Sequence, residues 1–326
     1  MATGKASDLT LYNDQFIGGY VETVQQNTNL FNGASQGAIR LINELHGGDY
    51  DKETFFDLTA SLITRRDTTS VSAATDLAIT SDEFVGVKLN RKIGPIGQTL
   101  DAWRKIDKDE KIMSFIIGQQ TAKATAQEML NRALAALEAK LQSVTALYHN
   151  ATDGTIASTD LSTGLQKAGD SANDVLIWVM HSKPYWDLVT NQITNAIYRA
   201  NGVKIMDGVP ATLGRPVLVT DSDSLLEADG VSSGVDAYST LGLKAGAVTI
   251  KESEPSRTVL DLVTGLENIV YRLQGEYAYN LSLRGCEWDV ANGAANPSNA
   301  AVATSSNWDT QVASNKLLPG VIIRSR

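Results

Sequence analysis

Hydrophobic and polar positions change rhythm several times along the chain, and the longest regular stretch lies near its middle. Between residues 107 and 148, apolar or small side chains recur three and four apart, at Ile112, Phe115, Ala122, Ala126, Leu130, Ala133, Leu137, Leu141, Val144 and Tyr148, with Gln119 as the polar interruption. That spacing builds one face of a helix. At 1.5 Å per residue, about 40 residues make a rod roughly 60 Å long, wider than a small domain. A strict heptad of Leu or Ile is missing, and an alanine-rich stripe suits close packing on a sheet better than a free coiled coil.

Ahead of this helix the pattern is sparse. Residues 1–45 carry scattered Phe16, Ile17, Tyr20, Leu30 and Phe31 between glycine pairs, which reads as an extended arm needing a surface to lie on, with a short helix near 37–45. Residues 62–71 and 84–93 are β-branched runs around a polar centre, as in a long hairpin. Its arms carry Arg65, Arg66, Lys88, Arg91 and Lys92, and Asp76, Asp82 and Glu83 fall near its tip. A solitary ribbon is marginal in water, so these charges are expected to meet another chain. From residue 171 short buried strands alternate with helices (DVLIWVMH, PYWDLVTNQITNAIY, GRPVLVTD), and strands near 278–288 and 320–324 are expected to return beside the long helix. That alternation is α/β or α+β with a mixed sheet, with residues from about 175 to 275 as an insertion-like second domain.

Composition changes this picture in three ways. The 326 residues are enough for about two domains. A formal charge of −9 repels phosphate, which argues against a dedicated nucleic-acid binder. The single cysteine, Cys286, excludes an intramolecular disulfide and any multi-cysteine zinc site. No leader-like or membrane-length apolar run is present, so the sequons at Asn150 and Asn280 are not expected to be used.

Candidate chemistry is thin. His46, His149 and His181 are far apart and show no metal-ligand spacing; GxSxG and GxxxxGK[ST] are absent, and GLKAGA at Gly242 is too loose for a dinucleotide loop. Asp221 with Asp223, and Glu252 with Glu254, read as turn carboxylates, and Tyr185–Trp186 and Tyr277/Tyr279 as packing aromatics. The sequence therefore names no catalytic, cofactor-binding or metal-ligating residue. What it does repeat is surface that a neighbour would complete: an arm, a charged ribbon and an over-long helix.

That order, together with NTNLFNGASQGAIRL at 27–41, GPIGQTLDAWRKI at 94–106, FIIGQQTAKA at 115–124, WVMHSK at 178–183, LGRPVLVTD at 213–221, GLENIVYRLQGEYAYNL at 265–281 and ANPSNAAVATSSNWD at 295–309, resembles the major capsid proteins of tailed bacteriophages. It is most similar to the subgroup of the Hong Kong 97-like fold that lacks a fused scaffolding segment. The resemblance implies an N-terminal arm over 1–50, an extended loop over 51–106, a peripheral domain with the spine helix over 107–170, an axial domain over 171–275, and a return to the peripheral domain over 276–326. It implies a structural, non-enzymatic role without cofactor: pentamers and hexamers closing an icosahedral head around double-stranded DNA in the host bacterial cytoplasm. Partners would be further copies of the chain, a separate scaffolding protein, a portal protein, a decoration or cement protein, and packaged DNA touched without sequence specificity; no membrane is involved. Some relatives cross-link a lysine to an asparagine, but beyond Lys88 or Lys92 nothing here marks such a pair. An encapsulin-type cargo shell, a flagellin-like filament subunit and an α/β enzyme are the competing readings.

Overall fold

The computed structural model describes residues 32–33, 35–44, 47–57, 63, 65–66, 68–69, 71, 80–99, 110–199 and 212–326. Two sheets share one hydrophobic core, and a long helix lies against both. The first sheet takes strands from both ends of the chain: β1 (Ile39–Asn43), β2 (Tyr50–Asp57), β3 (Thr80–Thr99) and, much later, β9 (Val248–Val263) and β10 (Val270–Leu283), in the order β1-β9-β10-β3-β2. Only the β1–β9 pair is parallel.

The short helix expected near 37–45 is instead β1. Its side chains alternate, Ile39 fully buried and Arg40 exposed, and Ile39–Asn43 run in register with Val248–Glu252. Tertiary pairing overrides a weak local preference there. The ribbon also starts earlier than read: its first arm is β2, pairing Tyr50–Asp57 with Val87–Thr80, while the described residues 63, 65–66, 68–69 and 71 lie outside any strand. Asp82 and Glu83 therefore stand within the ladder, opposite Phe55 and Thr54, rather than at a tip.

Helix α1 (Glu110–Ser143) has 34 residues, about 51 Å of rod, and ends five residues before the expected Tyr148. Ser143 Oγ donates to the Lys140 carbonyl, a turn follows, and β4 (Tyr148–Ala151) pairs with the C-terminal strand. The predicted stripe residues Ala122, Ala133, Leu137 and Leu141 are fully buried, but so are Leu134 and Ala136. The helix is enclosed on more than one side in its second half. Alanine makes this possible, because small side chains let two layers approach one helix from different directions.

The second sheet follows: after β4 come α2 (Ser158–Ala168), β5 (Val175–Met180), α3 (Ser182–Arg199), β6 (Val217–Val219), β7 (Leu226–Ser232) and β8 (Val235–Lys244). Its order is β4-β13-β8-β5-β6, with β7 on β8 and β13 being Gly320–Ser325 at the chain's end. The chain passes from one sheet to the other at Ala247. That change comes well before the boundary expected near residue 275, which falls inside β10, because β9 already belongs to the ribbon's sheet. At the centre of the second sheet the backbones come unusually close: a Cβ on Gly242 would stand 2.7 Å from the Trp178 ring, and one on Gly320 would collide with the Gly242 carbonyl.

Between β10 and β13 a small tail unit closes the far side of α1. β11 (Cys286–Trp288) pairs with β12 (Trp308–Thr310), flanking the one-turn helices α4 (Val290–Gly293) and α5 (Asn299–Val302). Trp288 and Trp308 meet edge to face at 4.9 Å, and their indole N–H groups donate to the Ala294 and Val302 carbonyls. The buried Lys140 ammonium of α1 donates to the Trp308 carbonyl, tying helix to tail.

Candidate inter-subunit contact surface

Alternation along β3 decides which of its cations are free. Arg91 pairs across the ladder with Tyr277 and Leu89 with Tyr279, so these four side chains share the face turned to α1. Lys88 and Lys92 take the opposite face, in register with Asn280 and Glu276. On the helix side, Arg91 Nε donates to Glu128 of α1 at 2.9 Å, its Nη2 donates to Asn299 at 3.0 Å, and its guanidinium lies 5.9 Å from the Tyr279 ring centre. The Tyr279 hydroxyl donates to the second Glu128 oxygen at 2.7 Å, and Arg132, one turn along the helix, stands 3.6 Å from the first.

Burial holds the Tyr279 hydroxyl well above its ordinary range, and the Glu128 charge raises it further. The same burial lowers Arg91, but Tyr279 and Glu128 more than offset it. One carboxylate of the spine helix thus pins the root of the ribbon. This pair is largely shielded from water, and a shielded, multiply bonded carboxylate is worth more than a surface one.

On the other face Lys88 is 7% exposed and paired with Glu254 of β9. Nearby, Lys251 meets Asp51 at 2.8 Å, Glu53 at 2.9 Å and Glu44 at 3.6 Å. Burial lowers Lys251, and its bonds to Asp51 and Glu53 overturn that and hold it above the usual lysine range. Lys52 is exposed and meets Glu83 at 2.8 Å, a bond that raises the lysine. Asp82 is exposed and accepts the backbone N–H of Glu83.

The eight candidates therefore separate. Lys88, Arg91 and Glu83 are engaged within the chain. Arg65, Arg66 and Lys92 are exposed and carry no ion pair among the described residues; Asp76 lies outside them. The residues that sequence reasoning missed are Glu128, Lys251 and Asp51. Glu128 had a signal, since Arg132 follows it by four on the same helix face, but nothing in the sequence linked it to Arg91.

Among the described residues no group of three His, Cys, Asp or Glu is placed to hold a metal. His149 stands 3.5 Å from Asp160 and His181 3.8 Å from Asp221, each on its own. Burial pushes the Cys286 thiol up to about 12, so it is an inert core group. Asn280 is fully buried and its sequon closed to any enzyme. No helix among the described residues is long and apolar enough to cross a membrane.

What remains is a rigid body with a pinned ribbon, and the comparisons say what such bodies are. The profile of the Gp13-like family, major capsid protein 13-like, matches residues 8–322. The chain belongs to that family. In three dimensions this capsid protein is similar to the Cyanophage Pam1 capsid subunit (TM-score 0.54, 8% identity, 88% of each chain covered). It is also similar to the head protein of Helicobacter pylori bacteriophage KHP40 (0.51, 10%, 90% of this chain and 88% of that one) and to a chain of Mycobacterium phage Adephagia (0.51, 11%, 88% of each). At these identities the likeness is one of fold, the Hong Kong 97-like capsid fold expected from the sequence. No curated protein matches the chain in sequence. The protein is a structural component of a phage capsid.

Proposed function

We propose that copies of this capsid protein join as pentamers and hexamers and close an icosahedral head around double-stranded DNA, with the β2/β3 ribbon lying on a neighbouring subunit. The observation that carries this reading is the division of the ribbon's cations. Lys88 and Arg91 hold its root within the chain, while Arg65 and Arg66, between its two arms in the sequence, are exposed and unpaired among the described residues. A root fixed by shielded ion pairs and a basic outer part fit a rigid lever whose contact lies elsewhere, on acidic groups of the next copy. The part of residues 1–50 that precedes β1 would serve as the arm, α1 as the spine of the peripheral domain with the first sheet, and the second sheet as the body of the axial domain.

The role is structural rather than enzymatic: several modest contacts per subunit, made at once, add through avidity and symmetry. A net charge of −9 also lets packaged DNA slide along the wall rather than adhere. Scaffolding, portal and decoration proteins would join during and after assembly in the host cytoplasm. Deletion of residues 72–79, which precede β3 in the sequence, tests the lever. We expect subunits with an unchanged far-ultraviolet circular dichroism spectrum that no longer close into shells; normal closure would remove the ribbon from the assembly account.

A further inference from the structure

Beyond the root of the ribbon, β9, β10 and the last part of β3 continue together as a three-stranded blade. On the face turned away from α1, register places the charges in a checkerboard. Arg257 of β9 stands opposite Glu276 of β10, which stands opposite Lys92 of β3. Four residues further along, Asp261 stands opposite Arg272, which stands opposite Gly97. Val259 and Gln274 form the row between them.

All of these side chains are exposed, Val259 at 66%, and they line or border a groove of about 1010 Å³. Opposite charges directly across a ladder normally satisfy each other. Here neither Arg257 with Glu276 nor Arg272 with Asp261 forms an ion pair, and the Asp261 carboxylate accepts only the Leu262 backbone N–H, so among the described residues four charges beside an exposed valine have no ion-pair partner.

We infer that this blade face packs on the same face of a second copy, about a two-fold axis lying across the strands through Val259. This rests on the assembly reading above. The charges choose the axis. Turning the copy about an axis across the strands sets β9 on the partner's β9, so Arg257 meets the partner's Asp261 and Glu276 meets the partner's Arg272, each twice by symmetry. Lys92 then faces the partner's Gly97, where nothing repels it. An axis along β10 would instead bring Arg257 onto the partner's Lys92, like charge on like. The valines meet on the axis, with a row of charges to either side of them along the strands.

The area fixes when the contact forms. Three strands about 4.8 Å apart and seven residues long at about 3.4 Å each span roughly 350 Å². Stable complexes bury about 800 Å² per partner, so this face closes only where other contacts already hold the two copies. That is the situation of adjoining capsomers.

Val259→Cys tests the geometry in shells produced with the chain's neighbouring genes, because the only native thiol, Cys286, is buried and protonated. A short bismaleimide should link pairs of copies in closed shells and not in dissociated subunits. Arg257→Asp alone should lower the yield of closed shells by about tenfold or more, and adding Asp261→Arg should restore it. That double exchange keeps β9 complementary to β9 of the partner while setting like charges across the β9–β10 ladder, so a pairing within the chain, or β9 over β10, predicts further loss. Closed shells that do not cross-link, or a single reversal without effect, would overturn the contact. If the unaltered chain formed no shells, the assembly reading itself would fall, and this inference with it.

Discussion

Glu128 is the residue on which the ribbon's position turns. It accepts from Arg91 and from the Tyr279 hydroxyl and lies beside Arg132, in a site largely shielded from water. Glu128→Ala is expected to cost about 2–3 kcal/mol in urea unfolding, since it leaves the Arg91 Nε and the buried Tyr279 hydroxyl without their acceptor. Lys183→Ala, which removes an exposed one-turn pair with Asp187, should cost no more than about 0.5 kcal/mol. Equal losses would mean that the network is no stronger than a surface pair. Glu138 gives the pH-dependent case. Burial raises its carboxyl, with the Ser239 hydroxyl opposing, the Glu227 charge adding and Arg324 opposing. A carboxyl raised in the folded state binds its proton more readily there than in the unfolded chain. It therefore penalises folding above its folded pKa, and the penalty fades as pH falls toward the unfolded value of about 4.3. Glu138→Gln should accordingly raise the melting temperature near pH 7.5 and lose that advantage near pH 4; a constant difference would point to packing instead.

At the scale of elements, what was legible in the sequence was periodic. The stripe of α1 announced a long helix, and its buried members Ala133, Leu137 and Leu141 are among those the spacing named. Where structure departs from sequence, the deciding partner is remote. β1 is a strand because β9, more than two hundred residues later, supplies its ladder. Likewise α1 stops before Tyr148 because the last strand of the chain draws Tyr148–Ala151 into a sheet. Among the candidate contact residues, alternation separates Lys88 and Lys92 from Arg91, but only the fold reveals that Glu254 and Glu128 engage two of the three. The closeness of β8 and β13 was not legible at all, since glycines at 242 and 320 look like ordinary turn residues in a sequence. Gly320→Ala should prevent β13 from docking and leave little folded protein, because the obstacle is the Gly242 carbonyl rather than a side chain that can move. Soluble, cooperative unfolding near the parent's midpoint would contradict that close approach.

At the scale of the molecule, the parts divide into a stiff interior and a polar exterior with charges left over. One core runs through both sheets and α1, the tail unit is clipped to the helix by Lys140, and the ribbon is pinned at its root. Such a body transmits position: where its ribbon and blade meet neighbours, their angle is set by the fold rather than by the contact. Among the described residues the lone thiol is buried, and His149 and His181 each stand beside one carboxylate. Membership of the capsid family over residues 8–322 gives this body its use. The measurement that bears most directly on the account is electron microscopy of the purified protein, expressed alone and with its neighbouring genes. Closed icosahedral shells, or tubes and sheets of hexamers when the chain is expressed alone, are the predicted result. Uniform small oligomers at high concentration with the neighbouring genes present would contradict it.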